Sequence, residues 1–359
     1  MAPPRRKPHG GLATVRAKTA PEARALVRWS TSKSMSRGIN QAIVLVNYLS
    51  VSIKRMRDSQ IESLSGQRHY SSTIHKRRRE MANSRNTALV LGGTGRTGAR
   101  VAKKLVEHGF NARTAARHGA SVMFDWDNPD TYSAALDRVD RVYLVSPTMR
   151  VKFADRVADF LDLAERSRVR HITYLSTYGS DRAPAEVDIH AVELDLARRK
   201  SFSHSILRPA WVMQNFSDEH LPLIGGQITV PTGSGSEAFV DAEDIASVAV
   251  ATLLTPAAHA GATYAPTGPQ SLSVADIADI IANVAGCPVA HNDIDPEAWI
   301  GAAVEAGFVP ADYAVALRWL TTAVITGNGS RPNDDVERVT GRPATTFEQF
   351  ARRNATAWM

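Results

Sequence analysis

A glycine-rich segment near residue 92 has the residue types and spacing to bind a phosphate-bearing ligand. It reads Gly92-Gly-Thr-Gly-Arg-Thr-Gly98, which is the spacing G-x-x-G-x-x-G. Glycine is needed where the backbone turns tightly and where main-chain N–H groups approach a pyrophosphate. A short apolar run precedes the segment and a helical pattern follows it, as in dinucleotide-binding βαβ units. We expect nucleotide contacts from Gly92, Thr94, Gly95, Arg96, Thr97 and Gly98; the alternative is a glycine-rich turn that serves packing alone.

The end of the second predicted strand indicates which nucleotide binds. NAD-preferring folds place Asp or Glu about 20 residues beyond the loop, where the carboxylate binds ribose hydroxyls. Here Arg117 holds that position, and residues 110–122 contain no acid. A guanidinium pairs bidentately with a 2′-phosphate, and Arg96 could reach the same group. The sequence therefore predicts NADP(H) in preference to NAD(H), unless Arg117 is simply a solvated charge.

Polar residues also follow the third, fourth and fifth predicted strands. Ligands of open α/β sheets bind at the carboxyl ends of the strands. Asp125, with Trp126 beside it, is placed to accept a hydrogen bond from an adenine amino group, and Ser146-Pro147 would pass the nicotinamide. Thr177 would line the nicotinamide pocket after the fifth strand. Each of these positions could instead be a plain turn.

The pattern around these residues alternates between strand and helix from residue 86 to about 210. Helical connections of about ten residues or more imply parallel βαβ units with right-handed crossovers. Helical patterns dominate from residue 273, and Thr345 with Glu348 has the spacing of a capping box. We predict a Rossmann-type α/β fold, a doubly wound parallel sheet, with an NAD(P)-binding domain over 86–235. Residues 236–359 are expected to complete the fold and form a small, mostly helical substrate lobe.

Charge divides the chain into a basic arm and a mildly acidic body. Of 43 Lys+Arg and 36 Asp+Glu, residues 1–80 hold 17 and 4. An Arg-rich, Ser-rich and acid-poor arm fits an organelle transit segment, and its charge could neutralise phosphates of a nucleic acid. No recognisable nucleic-acid module supports the second interpretation. We favour a disordered extension over residues 1–85.

Composition excludes several classes of protein. No run approaches the ~20 apolar residues of a membrane span. The single cysteine, Cys287, excludes an internal disulfide framework and cysteine-rich metal sites, and the eleven histidines form no helical pair that could bind a metal. We expect a cytoplasmic protein, a monomer or homodimer, with a small-molecule substrate and no membrane, metal or nucleic-acid partner.

Several of these motifs together resemble one family. The glycine loop, Asp125-Trp126, Val142-Tyr-Leu-Val-Ser146, Leu207-Arg-Pro-Ala-Trp-Val-Met-Gln-Asn215, Phe239-Val-Asp-Ala-Glu-Asp244 and the tail 339–350 are similar to the NmrA-like atypical short-chain dehydrogenases. Within that group the chain resembles the festuclavine and agroclavine dehydrogenases and their bacterial relatives. The resemblance covers about residues 86–358 and implies an NADP(H)-binding Rossmann domain with a C-terminal substrate lobe. We expect the substrate pocket to be formed by Tyr178, Pro209, Trp211, Met213 and Asn215; the alternative for Trp211 and Met213 is packing in the core.

The proton-transfer pair of ordinary short-chain dehydrogenases, a Tyr with a Lys four residues on, is absent. Among the eight tyrosines only Tyr178 has a base at that spacing, and it is Arg182. Arginine stays protonated and cannot replace the lysine. His190 lies where the family would place the Tyr, and Ser176 ends the fifth strand, so both are candidate catalytic residues. The alternative for His190 is a surface histidine on an amphipathic helix.

The resemblance to this family implies an NADPH-dependent reductase that delivers hydride to a small conjugated acceptor: a quinone, an iminium compound or an enone. The alternative is a redox sensor that binds NADP(H) without turnover. The glycine loop serves both functions and does not discriminate between them.

Overall fold

The computed structural model describes residues 86–218 and 220–359, so the predicted extension over 1–85 lies outside the described residues. The strands are β1 Thr87–Leu91, β2 Asn111–Ala116, β3 Val122–Met123, β4 Arg141–Val145, β5 His171–Leu175, β6 Ser203–Leu207, β7 Gln227–Thr229, β8 Ser236–Glu237, β9 Thr263–Tyr264, β10 Leu272–Ser273 and β11 Ala290–Asn292. The helices are α1 Gly98–Glu107, α2 Asp130–Leu136, α3 Ala154–Arg166, α4 Asp188–Arg198, α5 Ala242–Leu254, α6 Pro256–His259, α7 Val274–Ala285, α8 Pro296–Glu305, α9 Ala314–Ile325, α10 Asp335–Thr340 and α11 Phe347–Arg353.

Seven strands form one parallel sheet in the order β3-β2-β1-β4-β5-β6-β9. The strand order reverses between β1 and β4, which is the switch point where open α/β sheets bind ligands. The register aligns Leu91 with Ala115, and Val145 with Leu175, which itself aligns with Leu207. The loops after β1, β2, β4, β5 and β6 therefore emerge at one edge. The predicted doubly wound α/β fold is confirmed.

Alternating side chains of the strands enter two apolar cores on the two faces of the sheet. Leu89 and Leu91 of β1 pack with α2, α3 and α4, whereas Ala88 and Val90 pack with α1 and α5. All five residues of β1 are buried. A strand covered by helices on both faces is apolar at nearly every position, which is why β1 was recognisable as an apolar run after Thr87.

Residues beyond 235 contribute to the sheet as well as to the lobe. Strand β9 pairs in parallel with β6, and α5 packs on α1 and on β4 to β6. The chain after residue 235 thus returns to the sheet before it enters the lobe. Only Thr263 and Tyr264 pair in β9, so no apolar run marked the strand as part of the sheet.

The C-terminal lobe has an apolar core of its own. Its members come from the 213–216 turn, β7, α7, α11 and the C-terminal Trp358. Helix α9 covers the lobe more loosely, with only Thr321 and Val324 buried. None of the helices between residues 86 and 359 is long and apolar enough to cross a membrane, as far as the structure describes them.

Candidate active site

The glycine loop joins β1 to α1, and three of its glycines cannot be replaced without strain. Gly92 has φ +62°, a conformation that side-chain-bearing residues rarely adopt. A Cβ on Gly93 would lie 2.6 Å from Thr114 Cβ of β2, and a Cβ on Gly98 would lie 2.2 Å from the Gly92 carbonyl oxygen. The backbone therefore packs tightly against β2 and leads directly into the N-terminus of α1, which suits a pyrophosphate. Gly93 was missed as a site residue, because its neighbour Thr114 is 21 residues distant in the sequence.

Arg117 lies directly beyond β2, beside the glycine loop. The turn that contains Arg117 and Gly119 contacts the loop, since a Cβ on Gly119 would lie 3.7 Å from Thr94 Cγ2. The Arg117 side chain is exposed and makes no hydrogen bond or ion pair within the described residues. Its guanidinium is available to a ligand at this edge, so the loop and Arg117 together fit a dinucleotide.

The Arg96 side chain contacts the segment that follows β6. Its Nε lies 3.0 Å from Asp218 Oδ2, its Nη1 donates to Asn215 Oδ1 at 3.0 Å, and its Nη2 lies 2.9 Å from His220 Nδ1. Asn215, predicted in the substrate pocket, instead ties this segment to the glycine loop.

The residues after β3 and β4 make packing contacts and hydrogen bonds within the protein. The Trp126 ring packs edge-on against Phe124 at 4.9 Å, and the Asp125 carboxylate accepts from the Asp127 N–H at 3.0 Å. Pro147 is buried, and Ser146 Oγ lies 2.9 Å from the hydroxyl of Tyr174. Trp126 therefore packs in the aromatic core of the sheet face, and Ser146 connects β4 to β5.

Ser176 belongs to a buried ionic network that the sequence did not reveal. Its hydroxyl donates to Glu193 Oε1 at 2.5 Å, and the Ser180 hydroxyl donates to the same oxygen at 2.6 Å. Arg208, directly after β6, binds the same carboxylate through Nε at 3.1 Å and Nη2 at 2.6 Å, and pairs with Asp181. Burial alone would lower the pKa of Arg208, but these carboxylates outweigh burial and raise it. The network fixes α4 and the ends of β5 and β6 relative to one another.

His190 lies on α4, half-buried, with Nδ1 2.7 Å from the Ala183 carbonyl oxygen. Asp188, two residues before His190, caps α3 by accepting the N–H groups of Phe153 at 2.5 Å and Ala154 at 2.8 Å. Burial opposes ionisation of Asp188, but those hydrogen bonds and Lys152 hold its pKa below the usual range. Asp188 therefore serves α3, and no described carboxylate orients the His190 ring.

A cleft of about 610 Å³ opens beyond the end of β5, between that edge and the lobe. Tyr178, Trp211 and Thr177 line the cleft, and α9 contributes Trp319 and Arg318. Glu237 of β8 also lines the cleft and was not predicted. The isolated Glu237 in the sequence carried no signal, because its position depends on β8 pairing with β10.

The other predicted pocket residues, and His190, do not line this cleft. Met213 is 1% exposed and belongs to the core of the lobe. Pro209 is buried, and its carbonyl accepts the Tyr178 N–H at 3.0 Å. Met213 therefore packs in the core of the lobe, and Pro209 holds the backbone of the cleft residue Tyr178. Within the described residues no cluster of three or more His, Cys, Asp or Glu could hold a metal ion.

The strand order, the glycine loop at the first βα turn and the ligand edge define a Rossmann-type dinucleotide-binding protein. The model of the NmrA-like family matches residues 84–348. The chain belongs to this NmrA-like family.

The chain matches named relatives over nearly the whole length of those proteins. The chain is 34% identical to the uncharacterized oxidoreductase YesF of Bacillus subtilis, over 76% of this chain and 96% of that protein. It is 30% identical to festuclavine dehydrogenase easG of Aspergillus fumigatus, over 76% of this chain and 99% of the relative. Among solved structures, the NADPH-dependent quinone oxidoreductase QOR2 of Escherichia coli, complexed with NADPH, has a TM-score of 0.63 at 20% identity, over 74% and 99% of the two chains.

The predicted resemblance to the NmrA-like group and its festuclavine dehydrogenases is confirmed by these matches. The solved structure supports the fold. The protein is an oxidoreductase of the NmrA-like family that uses a nicotinamide dinucleotide.

Proposed function

We propose that the protein is an NADPH-dependent reductase that transfers hydride to a small conjugated acceptor: a quinone, an iminium compound or an enone. One observation carries the proposal. The cleft lined by Tyr178, Trp211 and Trp319 begins at the carboxyl end of β5, on the same sheet edge as the glycine loop. Aromatic walls suit a flat acceptor, and the common edge suits its placement beside a nicotinamide ring.

The preference for NADPH is supported by charge at the end of β2. Arg117 is exposed and unpaired within the described residues, and residues 110–122 provide no carboxylate for ribose hydroxyls. A free guanidinium recognises a 2′-phosphate bidentately, whereas it gains little from a hydroxyl pair.

In the proposed mechanism the residues of the chain bind, orient and position. The glycine loop and the N-terminus of α1 offer N–H groups to the pyrophosphate. When bound, a reduced nicotinamide supplies the hydride. Thr177 and Tyr178 form the cleft wall, and the Tyr178 N–H is fixed by the Pro209 carbonyl at 3.0 Å. Holding the acceptor in one orientation supplies much of the rate acceleration.

The absent Tyr/Lys pair fits acceptors that need little acid catalysis. Hydride addition to an iminium carbon neutralises the nitrogen and takes up no proton, whereas a quinone or enone takes up one proton, which water can supply. Ser176 donates its hydroxyl to Glu193, and His190 does not line the cleft. We assign Ser176 a positioning role, and we assign no proton transfer to His190.

The proposal is tested by following NADPH oxidation by absorbance against a panel of quinones, iminium compounds and enones. We expect turnover with at least one class, abolished by Gly95→Val. A Cβ at this exposed loop position would already lie 3.1 Å from the Gly92 carbonyl oxygen, so a valine side chain would fill the space in which the glycine loop binds phosphate. Gly301→Val is the matched control, because Gly301 is exposed on α8 and a Cβ there would meet no other atom within 4 Å.

Two results would count against the reductase. Unchanged turnover in Gly95→Val, with its melting temperature preserved, would separate the activity from the loop. Tight NADP(H) binding without turnover across the whole panel would favour the redox sensor.

A further inference from the structure

Glu237 differs from the other deeply buried carboxylates of the protein. Five carboxylates are buried within the described residues, and four of them form an ion pair. The paired ones are Asp188 with Lys152, Glu193 with Arg208, Asp241 with Arg353 and Asp335 with Arg338. Glu237, 2% exposed, has no cationic partner among the described residues. A buried carboxylate without a cation is costly, so a cation that reaches it gains an electrostatic partner that offsets part of its own desolvation cost.

The hydrogen bonds of Glu237 leave part of the acceptor capacity of its carboxylate unused. Its Oε2 accepts the Ser330 N–H at 2.9 Å, and its Oε1 accepts the Ser330 hydroxyl and, at 3.4 Å, the Trp211 N–H. Every donor is neutral, and a carboxylate has about four acceptor sites. Burial raises the pKa of Glu237, and the hydrogen bonds from Ser330 and Trp211 offset this only in part. These hydrogen bonds hold the Glu237 side chain in place, and no cation among the described residues compensates its charge.

The surroundings of Glu237 in the cleft indicate what kind of cation fits. Tyr178, Trp211 and Trp319 line the same cleft, and aromatic faces attract cations. The two arginines of the cleft differ in their partners. Arg318 pairs with Glu297 at 2.5 and 2.6 Å, whereas Arg182 stacks 5.2 Å from the centre of the Tyr178 ring and forms no ion pair with a described residue. A carboxylate among aromatic rings is suited to a flat ligand with a delocalised positive charge.

We propose that Glu237 determines specificity in this cleft, by selecting planar aromatic cations over neutral molecules of the same shape. The proposal deepens the reductase function and rests on it in one respect: the selected cation is the acceptor, so iminium compounds are preferred to quinones and enones. The binding of a cation itself does not depend on turnover.

Binding without NADPH tests the selectivity directly. N-methylacridinium is a permanent planar cation, and acridine is its neutral counterpart at mildly alkaline pH; fluorescence titration gives both affinities. We expect the wild-type protein to bind the cation roughly tenfold more tightly. Equal affinities, or tighter binding of acridine, would overturn the proposal, and this comparison requires no variant to fold.

Glu237→Gln tests the residue. The amide keeps the shape and can still accept from Ser330, but it removes the charge. We expect roughly tenfold weaker binding of N-methylacridinium and unchanged binding of acridine. Glu305→Gln is the matched control, since Glu305 is exposed on α8 and its loss changes the net charge equally. Equal effects of the two variants on the cation would overturn the assignment to Glu237.

Ser330→Ala separates charge recognition from a purely structural role. This variant removes one hydrogen bond to Glu237 and keeps the carboxylate. We expect it to retain the preference for the cation, even if its melting temperature falls. Loss of the preference in Ser330→Ala, to the extent seen in Glu237→Gln, would assign Glu237 to the fold alone.

The two proposals can fail separately. Selective cation binding without turnover of any acceptor would retain the role of Glu237 and remove the reductase. Turnover with equal kcat/KM for iminium compounds and quinones, unaffected by Glu237→Gln, would retain the reductase and remove the role of Glu237.

Discussion

Arg96 and Arg117 carry the same charge near the same loop but have different surroundings. The Arg96 guanidinium is engaged by Asn215, Asp218 and His220, which connects the glycine loop to the segment after β6. The Arg117 guanidinium is exposed beside the loop. The structure therefore makes Arg117 the better candidate for reading a 2′-phosphate, although the sequence left both open.

Arg117→Ala should weaken NADPH binding by about 1–3 kcal/mol through the lost charge-assisted contact, and NADH binding much less. Arg96→Ala is the matched arginine substitution, and it should change the two affinities by similar factors. Isothermal titration of both cofactors against each variant measures this. Equal losses for NADPH and NADH in Arg117→Ala would show that Arg117 does not read the 2′-phosphate.

At the level of elements, a buried histidine joins the strands at the edge of the sheet opposite the cleft. His171 begins β5 and is fully buried, with Nδ1 2.8 Å from Ser203 Oγ of β6 and Nε2 3.3 Å from Thr173 Oγ1. Thr173 in turn lies 2.8 Å from Thr252 of α5, measured between the hydroxyl oxygens. Burial, with the nearby charge of Arg141, lowers the pKa of His171 to about 4.

The lowered pKa predicts acid sensitivity of the β5–β6 pairing. In the unfolded chain His171 takes up its proton near pH 6.5, whereas the folded protein resists protonation to about pH 4. Stability is therefore complete above the unfolded pKa and is lost as pH falls through this window, by about 3 kcal/mol. Urea unfolding across the window should show this loss in the wild type and a flatter profile in His171→Gln. His118→Gln, at an exposed histidine, is the control, and a wild-type slope in His171→Gln would contradict the assignment.

On the scale of the whole molecule, the described residues between 86 and 359 form three large apolar cores. Two apolar cores cover the faces of the sheet, and a third fills the lobe. The match to the NmrA-like family begins at residue 84. Among the described residues, the members of these cores and of the glycine loop lie beyond the basic arm, so we expect this part of the chain to fold and to bind the dinucleotide by itself.

A chain that begins at Met81 should therefore keep the melting temperature and the NADPH affinity of the full chain. Differential scanning fluorimetry and cofactor titration on both proteins measure these quantities. A truncated protein that unfolds at a lower temperature or binds NADPH more weakly would mean that residues 1–80 contribute contacts to the body.

Local patterns were sufficient for the order of elements. The apolar run of β1, the glycine loop and the helix of α1 are adjacent in the sequence, and their signals depend on neighbours within a few residues. Strand positions were predicted well for the same reason. The final capping box was misplaced by one residue: Thr346 and Gln349 form it, while the Thr345 N–H donates to Asp244 at 2.7 Å. Two adjacent threonines offered the same local spacing, and a contact across 101 residues decided between them.

The sequence by itself determined the parallel α/β fold, the nucleotide loop and the basic residue after β2, because each is a property of consecutive residues. Tertiary structure alone decided that Gly93 must be a glycine, that Arg96 binds Asp218, and that Ser176 serves Glu193. It also brought Glu237 into an aromatic cleft without a cation among the described residues. These contacts join residues up to 122 positions apart, and their energies depend on burial and on the partner's charge. The sequence without the fold specifies neither the burial of these residues nor the charge of their partners.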